Sequence, residues 1–490
     1  MATTSRRQAE ILDLPLRLDA RAGNQSERVR ADLRAAILSG KLAPGRRLPS
    51  SRALADQLGL RRNAVIVAYE LLQLDGLVEA AHGSGTYVAA SLPAGRSAAS
   101  GTPSYEPPPP PLPFTLGHPW SEPEILRRLA TVLRRRVLRA DPADLGYGDP
   151  RGNEALRRQV ATHLATSRGV DSDPDCVVII PGAHQGLRMC SEALLSPGDA
   201  IWFEDPGYVA ARKTLQAAGL SIAPAPVDSE GLNMELAAAR EPNPKAVYVT
   251  PSHQFPTAVT MSMPRRVALL EWARDKGVWI FEDDYDSEFR YSGAPLTALA
   301  GIGDRNRVIY IGTFSKTLFP GMRLAYLVLP AAAVAPVLAV RATLDRFPSS
   351  FLAGAVSDLI ADGALIAHTR RLRSRAQRAR DLVVEALTRK AGAALRLVAP
   401  AQGLHLAAHL DEWTPPGAAA RIRDQAGVQA LLISETRLIG SGPDGFVLGF
   451  AGYSEHELVA AAERLGAAAR AVVTGETGPL DNPIRPAVRQ

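Results

Sequence analysis

The stretch GTFSKTLFPGMRLAY, residues 312–326, sets a lysine, Lys316, directly after Ser315 and seven residues ahead of Arg323, with a Pro320-Gly321 turn in between. Lysine is scarce in this chain: there are six, at positions 41, 213, 245, 276, 316 and 390, and arginine supplies the rest of the 56 basic residues. Lys316 stands between two short apolar runs, VIYIG (308–312) and LAYLVL (324–329), that read as strands bounded by glycine, proline and polar residues. An amine held at a strand end can attack a carbonyl carbon, while a hydroxyl and a guanidinium beside it suit an anion.

Outward from this stretch, VVII (177–180), AIWF (200–203), AVYVT (246–250) and VWIFE (278–282) repeat the pattern, with helical stretches between several of them. Such alternation predicts an α/β domain around a mainly parallel sheet. From about 345 to 473 the pattern turns helical with a few late strands, which predicts a smaller α+β lobe. In IFEDDYDSEFRY (280–291) a strand runs into Asp283, Asp284 and Tyr285. Asp283 and Tyr285, two apart, can point to one side of the sheet. Chemistry on pyridoxal 5'-phosphate needs a lysine for the aldehyde, a carboxylate facing the pyridine nitrogen, a donor near the 3-hydroxyl and a cup for the phosphate. All four occur here in order, with Asp284 the alternative to Asp283 as ring partner. His253, in TPSHQFPTA (250–258), reads either as a neighbour of the cofactor or as a turn residue.

Residues 114–475 resemble the fold-type-I aminotransferase domain. That resemblance implies that Lys316 bonds the cofactor, Asp283 pairs with the pyridinium and Tyr285 bonds the 3-hydroxyl. Ser315 and Arg323 would hold the phosphate, together with Gly182, Ala183 and His184 of VIIPGAHQGL. Tyr208 in FEDPGYVAAR resembles the ring that stacks on the cofactor. Tyr147 in DLGYGDPRG resembles the tyrosine that reaches the phosphate of a neighbouring subunit, which implies a homodimer. Two departures stand out. Phe255 precedes Pro256 where aminotransferases commonly carry an Asn, so His253 is the candidate to support the 3-hydroxyl instead. DGFVLGFAG (444–452) resembles the C-terminal strand in which amino-acid-handling members place an Arg for the substrate carboxylate, and it has none. Either Arg212 or Arg437 takes over that clamp, or the ligand is not an ordinary α-amino acid.

At the other end of the chain, SERVRADLRAAIL (26–38) carries apolar residues at helical spacing. A second helix through Leu58 opens at Pro49-Ser50-Ser51, and a third runs from about Arg62 to Asp75. Two short strands around His82-Gly83-Ser84-Gly85 then read as a hairpin, which completes the winged helix-turn-helix order. Residues 1–90 hold 13 basic and 9 acidic side chains, most of the formal charge of +6. The stretch 33–89 closely resembles the GntR-type winged helix. By that resemblance Arg52, Arg61, Arg62, Asn63, His82 and Gly83 contact operator DNA, and Ser50 and Ser51 open a helix whose N-terminus suits a phosphate. Ile66 replaces an Arg found in some members, so the operator sequence does not carry over.

Between the two lies SLPAGRSAASGTPSYEPPPPPLP, 91–113, a proline-rich spacer. The expected plan is a flexible N-terminus (1–20), a winged helix (21–90), the linker (91–113), an aminotransferase-like domain (114–475) and a tail (476–490). Two cysteines, Cys176 and Cys190, exclude a disulfide framework, and no apolar run suits a membrane span or signal core. A cytoplasmic location and no metal site are therefore expected.

Both halves together resemble the MocR subfamily of GntR regulators. The resemblance implies a PLP-dependent transcription regulator, not an enzyme, that binds double-stranded operator DNA. It would sense an amino-bearing effector, of amino acid or aminosulfonate type, by aldimine exchange at Lys316. The expected assembly is a homodimer with head-to-tail domain swapping. The alternatives are a PLP-sensing regulator of vitamin B6 synthesis and an active aminotransferase with a DNA-binding appendage.

Overall fold

The structure is a computed structural model that describes residues 24–81, 85–90, 110–120, 122–140, 145–303, 305–439 and 442–475. His82 and Gly83, the expected wing-tip contacts, lie outside the described residues, as do most of the linker and the tail. Contacts divide the chain into two compact units, one ending at Pro109 and the other beginning at Pro110.

In the first unit, helix α1 (Gln25–Leu38) starts at a capping box in which Asn24 and Glu27 satisfy each other's backbone N–H groups. Helix α2 (Ser51–Leu58) is capped by Ser50, whose Oγ accepts from Ala53 N at 3.2 Å, and ends at Gly59 in the left-handed region. Helix α3 (Arg62–Leu74) follows, and strands β1 (Val78–Ala81) and β2 (Gly85–Val88) pair antiparallel with Val78 opposite Val88. Val29, Leu33, Ile37, Leu54, Val65 and Leu72 close into one core. Tyr69 ties α3 to the turn before α2 by donating its hydroxyl to the Pro49 carbonyl at 2.9 Å.

An eight-stranded sheet organises the second unit. Its strands are β3 (Val177–Ile180), β4 (Ala200–Asp205), β5 (Ser221–Asp228), β6 (Gly231–Leu232), β7 (Ala246–Val249), β8 (Trp279–Asp284), β9 (Val308–Thr313) and β10 (Ala325–Val328). Their spatial order is β3-β10-β9-β8-β7-β4-β5-β6. Strands β9, β8, β7, β4 and β5 run parallel, while β10 is antiparallel to both β3 and β9. Separate apolar clusters cover the two faces, as a buried parallel sheet requires. Sequence patterning missed β5, whose Pro224 and Pro226 remove ladder donors; only the two-residue β6 lies outside it.

Helix Ser350–Ala361 packs into the sheet's core through Ala353, Val356 and Leu359, so the smaller lobe begins later than the pattern predicts. The 28-residue helix Ala364–Ala391 makes the transition: Leu365 belongs to the sheet core and Leu372 to the lobe core. Strands β11 (Arg396–Val398), β12 (His405–His409), β13 (Leu431–Leu432) and β14 (Gly445–Gly449) form the lobe's antiparallel sheet, in the order β11-β12-β14-β13. The last linker residues are docked on this lobe, with Tyr453 donating to the Leu112 carbonyl at 2.6 Å and Phe114 fully buried. Among the described residues no single helix is long and apolar enough to cross a membrane. Cys190 is buried, Cys176 is half-buried, and both are free.

One buried ion pair braces the centre of the sheet. Arg168 Nε donates to Asp284 Oδ2 at 2.8 Å and Nη2 to Ser252 Oγ at 2.5 Å, while the Tyr310 hydroxyl closes on the same carboxylate. Arg168→Met leaves Asp284 buried without its cation, and is expected to lower unfolding stability by about 3–5 kcal/mol. Urea denaturation measures that loss, and the double variant with Asp284→Asn is expected to recover part of it.

Candidate functional site

The carboxyl ends of β3, β4, β7, β8 and β9 open on one side of the sheet, where open α/β folds place their ligands. A cavity of about 400 Å³ lies there. Gly182, Ala183 and His184 enter it after β3, Tyr208 after β4, and Thr250 and Phe255 after β7. Asp283, Tyr285 and Asp286 come from the end of β8, and Ser315, Lys316 and Arg323 from the turns between β9 and β10. The lobe closes it with His405 and Ala451, and the segment Leu116–Trp120 completes the wall.

Adjacent strand residues face opposite ways, and this separates the two aspartates. Asp283 lines the cavity, accepting the Tyr248 hydroxyl at 2.6 Å, whereas Asp284 turns away to Arg168. Burial pushes the Asp283 carboxyl up to about 6 against the Tyr248 hydrogen bond, with the Asp284 charge adding to the rise. Lys316 is depressed from its ordinary value by burial, which Asp286 and Asp283 oppose. It makes no ion pair with a described residue. Helix Ala183–Leu194 has no side-chain cap at Gly182. A Cβ at Gly182 would lie 3.1 Å from the Arg323 guanidinium, so glycine keeps the space between that cation and the helix N-terminus open.

Behind this wall, buried polar groups lock the loops. Glu204 accepts from Thr250 Oγ1 at 2.6 Å and from Gln254 Nε2 at 3.3 Å, while Gln254 also donates to the Pro206 carbonyl at 2.9 Å. The loop carrying Phe255 is thereby fastened to the one carrying Tyr208, whose ring meets Phe255 edge to face at 5.4 Å. Burial pushes Tyr208 up to about 12. Asp205 binds the Leu438 and Ile439 N–H groups at 2.7 and 3.1 Å, which docks the lobe on the sheet.

Several sequence-selected residues fall elsewhere. His253 lies one layer behind the cavity, its Nδ1 2.9 Å from Asp286 Oδ2 and its ring stacked on His405 at 4.2 Å. A Cβ at Gly403 would collide with that ring. The ligating atoms of His253, Asp286 and His405 all lie within 4.8 Å of one another. Neither Arg212 nor Arg437 lines the cavity: Arg212 donates to the Arg437 carbonyl at 3.4 Å, and Arg437 to the carbonyls of Gly442 and Pro443 at 2.9 and 2.6 Å. Tyr147 is 79% exposed, with the Arg346 guanidinium 4.5 Å over its ring, and also lies outside the cavity. Sequence reading missed Asp286, Tyr248, Trp120 and His405. Only Asp286 carried a signal, as the acid next in line after Tyr285.

On the first unit, Arg61, Arg62 and Asn63 are exposed at the start of α3, and Arg61 occupies the N-cap without a side-chain cap bond. Arg62 Nε reaches Ser51 Oγ at 3.4 Å, and Arg52 is exposed on α2. These cations and two helix N-termini share one region suited to phosphates. Arg61→Ala is expected to weaken operator binding and to reduce the slope of log affinity against log salt by about one. Fluorescence anisotropy across a salt series measures both.

Two family models match the chain: bacterial regulatory proteins of the gntR family over residues 25–88, and aminotransferase class I and II over residues 121–465. The probable rhizopine catabolism regulatory protein MocR of Rhizobium meliloti is 32% identical over 468 residues, covering 92% of this chain and 94% of that one. The pyridoxine biosynthesis transcriptional regulator PdxR of Corynebacterium glutamicum is 30% identical, covering 91% and 97%. Among solved structures, Pyrococcus horikoshii kynurenine aminotransferase, crystallised with PMP, superposes with a TM-score of 0.66 at 25% identity over 73% of this chain and 90% of that one. A winged helix joined to a type I transferase fold defines a DNA-binding regulator, and the chain belongs to the MocR subfamily of GntR-type transcription regulators.

Proposed function

We propose that this regulator responds to a primary amine at pyridoxal 5'-phosphate seated in the cavity, with Lys316 as the residue that amine displaces. One observation carries the reading: a desolvated lysine and a guanidinium, neither ion-paired with a described residue, share a cavity with a buried aspartate and an uncapped helix N-terminus. The space that a Cβ at Gly182 would fill is suited to a phosphate. Ser315, Arg323, His184 and the first N–H groups of helix Ala183–Leu194 would hold that phosphate. Asp283 would face the ring nitrogen, Tyr285 the 3-hydroxyl, and Tyr208 the ring face.

The bound cofactor supplies an aldehyde carbon at which one amine can replace another. Burial holds more of the Lys316 amine in its neutral, nucleophilic form than in water. Asp283, ionised, keeps a proton on the ring nitrogen. A displaced Lys316 returns to a cavity where Asp286 and Asp283 favour its charged form. Tyr147, exposed and outside its own cavity, supports a homodimer in which it completes the partner's phosphate site.

Absorbance of the purified protein, followed by operator binding with and without a panel of amines, tests this reading. A visible band that an amine shifts, together with a change in operator affinity, is the expected result. Release of a carbonyl compound from the amine would instead favour an aminotransferase, the reading that the resemblance to kynurenine aminotransferase supports. Operator affinity that follows the cofactor alone would favour a sensor of pyridoxal phosphate, which the similarity to PdxR supports.

A further inference from the structure

On the cofactor reading above, we infer that occupancy at Lys316 is read by the segment Leu112–Trp120, a strap that walls one side of the cavity and continues in the sequence into the linker to the winged helix.

Nearness to the reacting amine is the first ground. Leu116–Trp120 line the cavity. Gly117 has a φ of +74°, in the left-handed region, and a Cβ there would lie 3.4 Å from Lys316 Nζ. The strap therefore presents backbone to that amine, not a side chain that can rotate away. An amine that takes the place of Nζ brings its carbon body to the space the strap borders, and a body that fills this space displaces the strap as a whole.

The second ground is what the strap is fastened to. Phe114, fully buried, and Trp120 belong to the lobe's apolar core. Gly449 at the end of β14 donates its N–H to the Phe114 carbonyl at 3.2 Å. A Cβ at Gly449 would stand 2.8 Å from the Thr115 carbonyl oxygen, and one at Gly452 would collide with the His118 ring. The stretch that lacks an arginine for a carboxylate thus carries two glycines that seat the strap. Lys316, by contrast, comes from the turns between β9 and β10 of the large sheet. The two sides of the contact at Gly117 therefore belong to different parts of the unit, one riding on the lobe and the other fixed to the sheet.

Continuity of the chain is the third. The Leu112 carbonyl accepts the Tyr453 hydroxyl at 2.6 Å, and its N–H donates to Gln429 Oε1 at 3.4 Å. Gly117 follows Leu112 by five positions, and upstream of Leu112 the sequence enters the proline run 107–111. Every other residue lining the cavity lies at position 182 or beyond. The strap is thus the part of the wall that continues most directly toward the DNA-binding unit, through a proline-rich spacer of the kind that transmits a displacement better than a glycine-rich one.

The test uses the full chain loaded with pyridoxal phosphate and two probes that differ only in carbon body, methylamine and butylamine. Visible absorbance reports displacement of Lys316, and anisotropy of labelled operator DNA reports the response. Both amines are expected to shift the band, and butylamine to change operator affinity by about fivefold or more, with methylamine well below that. Tyr453→Phe combined with Gln429→Ala frees the linker end of the strap while Phe114 keeps the cavity end in place. Neither altered residue lines the cavity. The double variant is expected to keep the spectral response to butylamine within about twofold in concentration and to lose most of the operator response. Gln429→Ala alone, at an exposed position, serves where Tyr453→Phe fails to fold. A full operator response in the variant with its band shift intact would overturn this inference alone, as would operator responses to the two amines that are equal or both absent while the band shifts. No band after cofactor is added, or a band that neither amine shifts, would overturn the reading on which it rests and this inference together.

Discussion

Lys316→Ala is expected to abolish the visible absorbance band of the cofactor-loaded protein and every spectral response to added amine. The expectation rests on the scarcity of alternatives in the cavity. Among the described residues that line it, Lys316 is the only primary amine, and the other five lysines of the chain lie elsewhere. Burial lowers the cost of losing its proton, and the neutral amine is the nucleophile. Lys316→Arg sharpens the test, because a guanidinium keeps the positive charge beside Asp283 and Asp286 but stays protonated at any accessible pH. Both variants are expected to lose the band. Retention in the arginine variant would mean that charge, not amine chemistry, holds the cofactor. Operator binding, read in parallel, is expected to persist in both variants and to lose its dependence on amine.

Asp283→Asn is expected to weaken cofactor binding by on the order of tenfold to a hundredfold, the value of a hydrogen bond to a charged group. The amide keeps an acceptor for the Tyr248 hydroxyl, so the wall is preserved and the ring's counter-charge alone is lost. A pH dependence follows, with its sign set by burial. The Asp283 carboxyl titrates near 6, above its ordinary range, so it is ionised at neutral pH and takes up a proton as the pH falls through about 6. Its protonated form cannot pair with a protonated ring, and cofactor affinity in the unaltered protein should decline on the acid side. A cationic ring holds the carboxylate ionised, which moves the onset lower in the loaded protein. Spectral titration of cofactor between about pH 5 and about pH 8 measures the curve. The asparagine variant should be flat over that range. An asparagine variant without that flattening would remove Asp283 from the ring's surroundings. Asp284→Asn provides the contrast: its partner is Arg168, so its main effect should fall on unfolding, while loss of its charge beside Asp283 should move the pH curve to lower pH without flattening it.

The elements were legible wherever their signals are local. Ser50 before α2 and Gly59 after it mark that helix by capping chemistry alone, and the apolar runs that became β3, β4, β7, β8, β9 and β10 are bounded by residues that stop a strand. Lys316 was conspicuous because its neighbours in sequence remain its neighbours in space. Where a fact depends on distant segments, sequence is silent. Pro224 and Pro226 hid β5, which is allowed there because β6 beyond it pairs with only two residues. Helix Ser350–Ala361 carries no mark that sends it to the sheet's core and not to the lobe.

For the cavity the division is the same. Composition and spacing alone determined that an amine, acids, a hydroxyl and a guanidinium occur in a set order along one chain, because those are properties of the covalent sequence. Only the tertiary structure decided that Asp283 faces inward and Asp284 toward Arg168, since that depends on which face of β8 looks onto the cavity. It also turned Arg212 and Arg437 away and brought in Trp120 and His405, 285 positions apart in the numbering. Strand alternation offers two faces, and the packing of a lobe built after the sheet chooses which side chains meet.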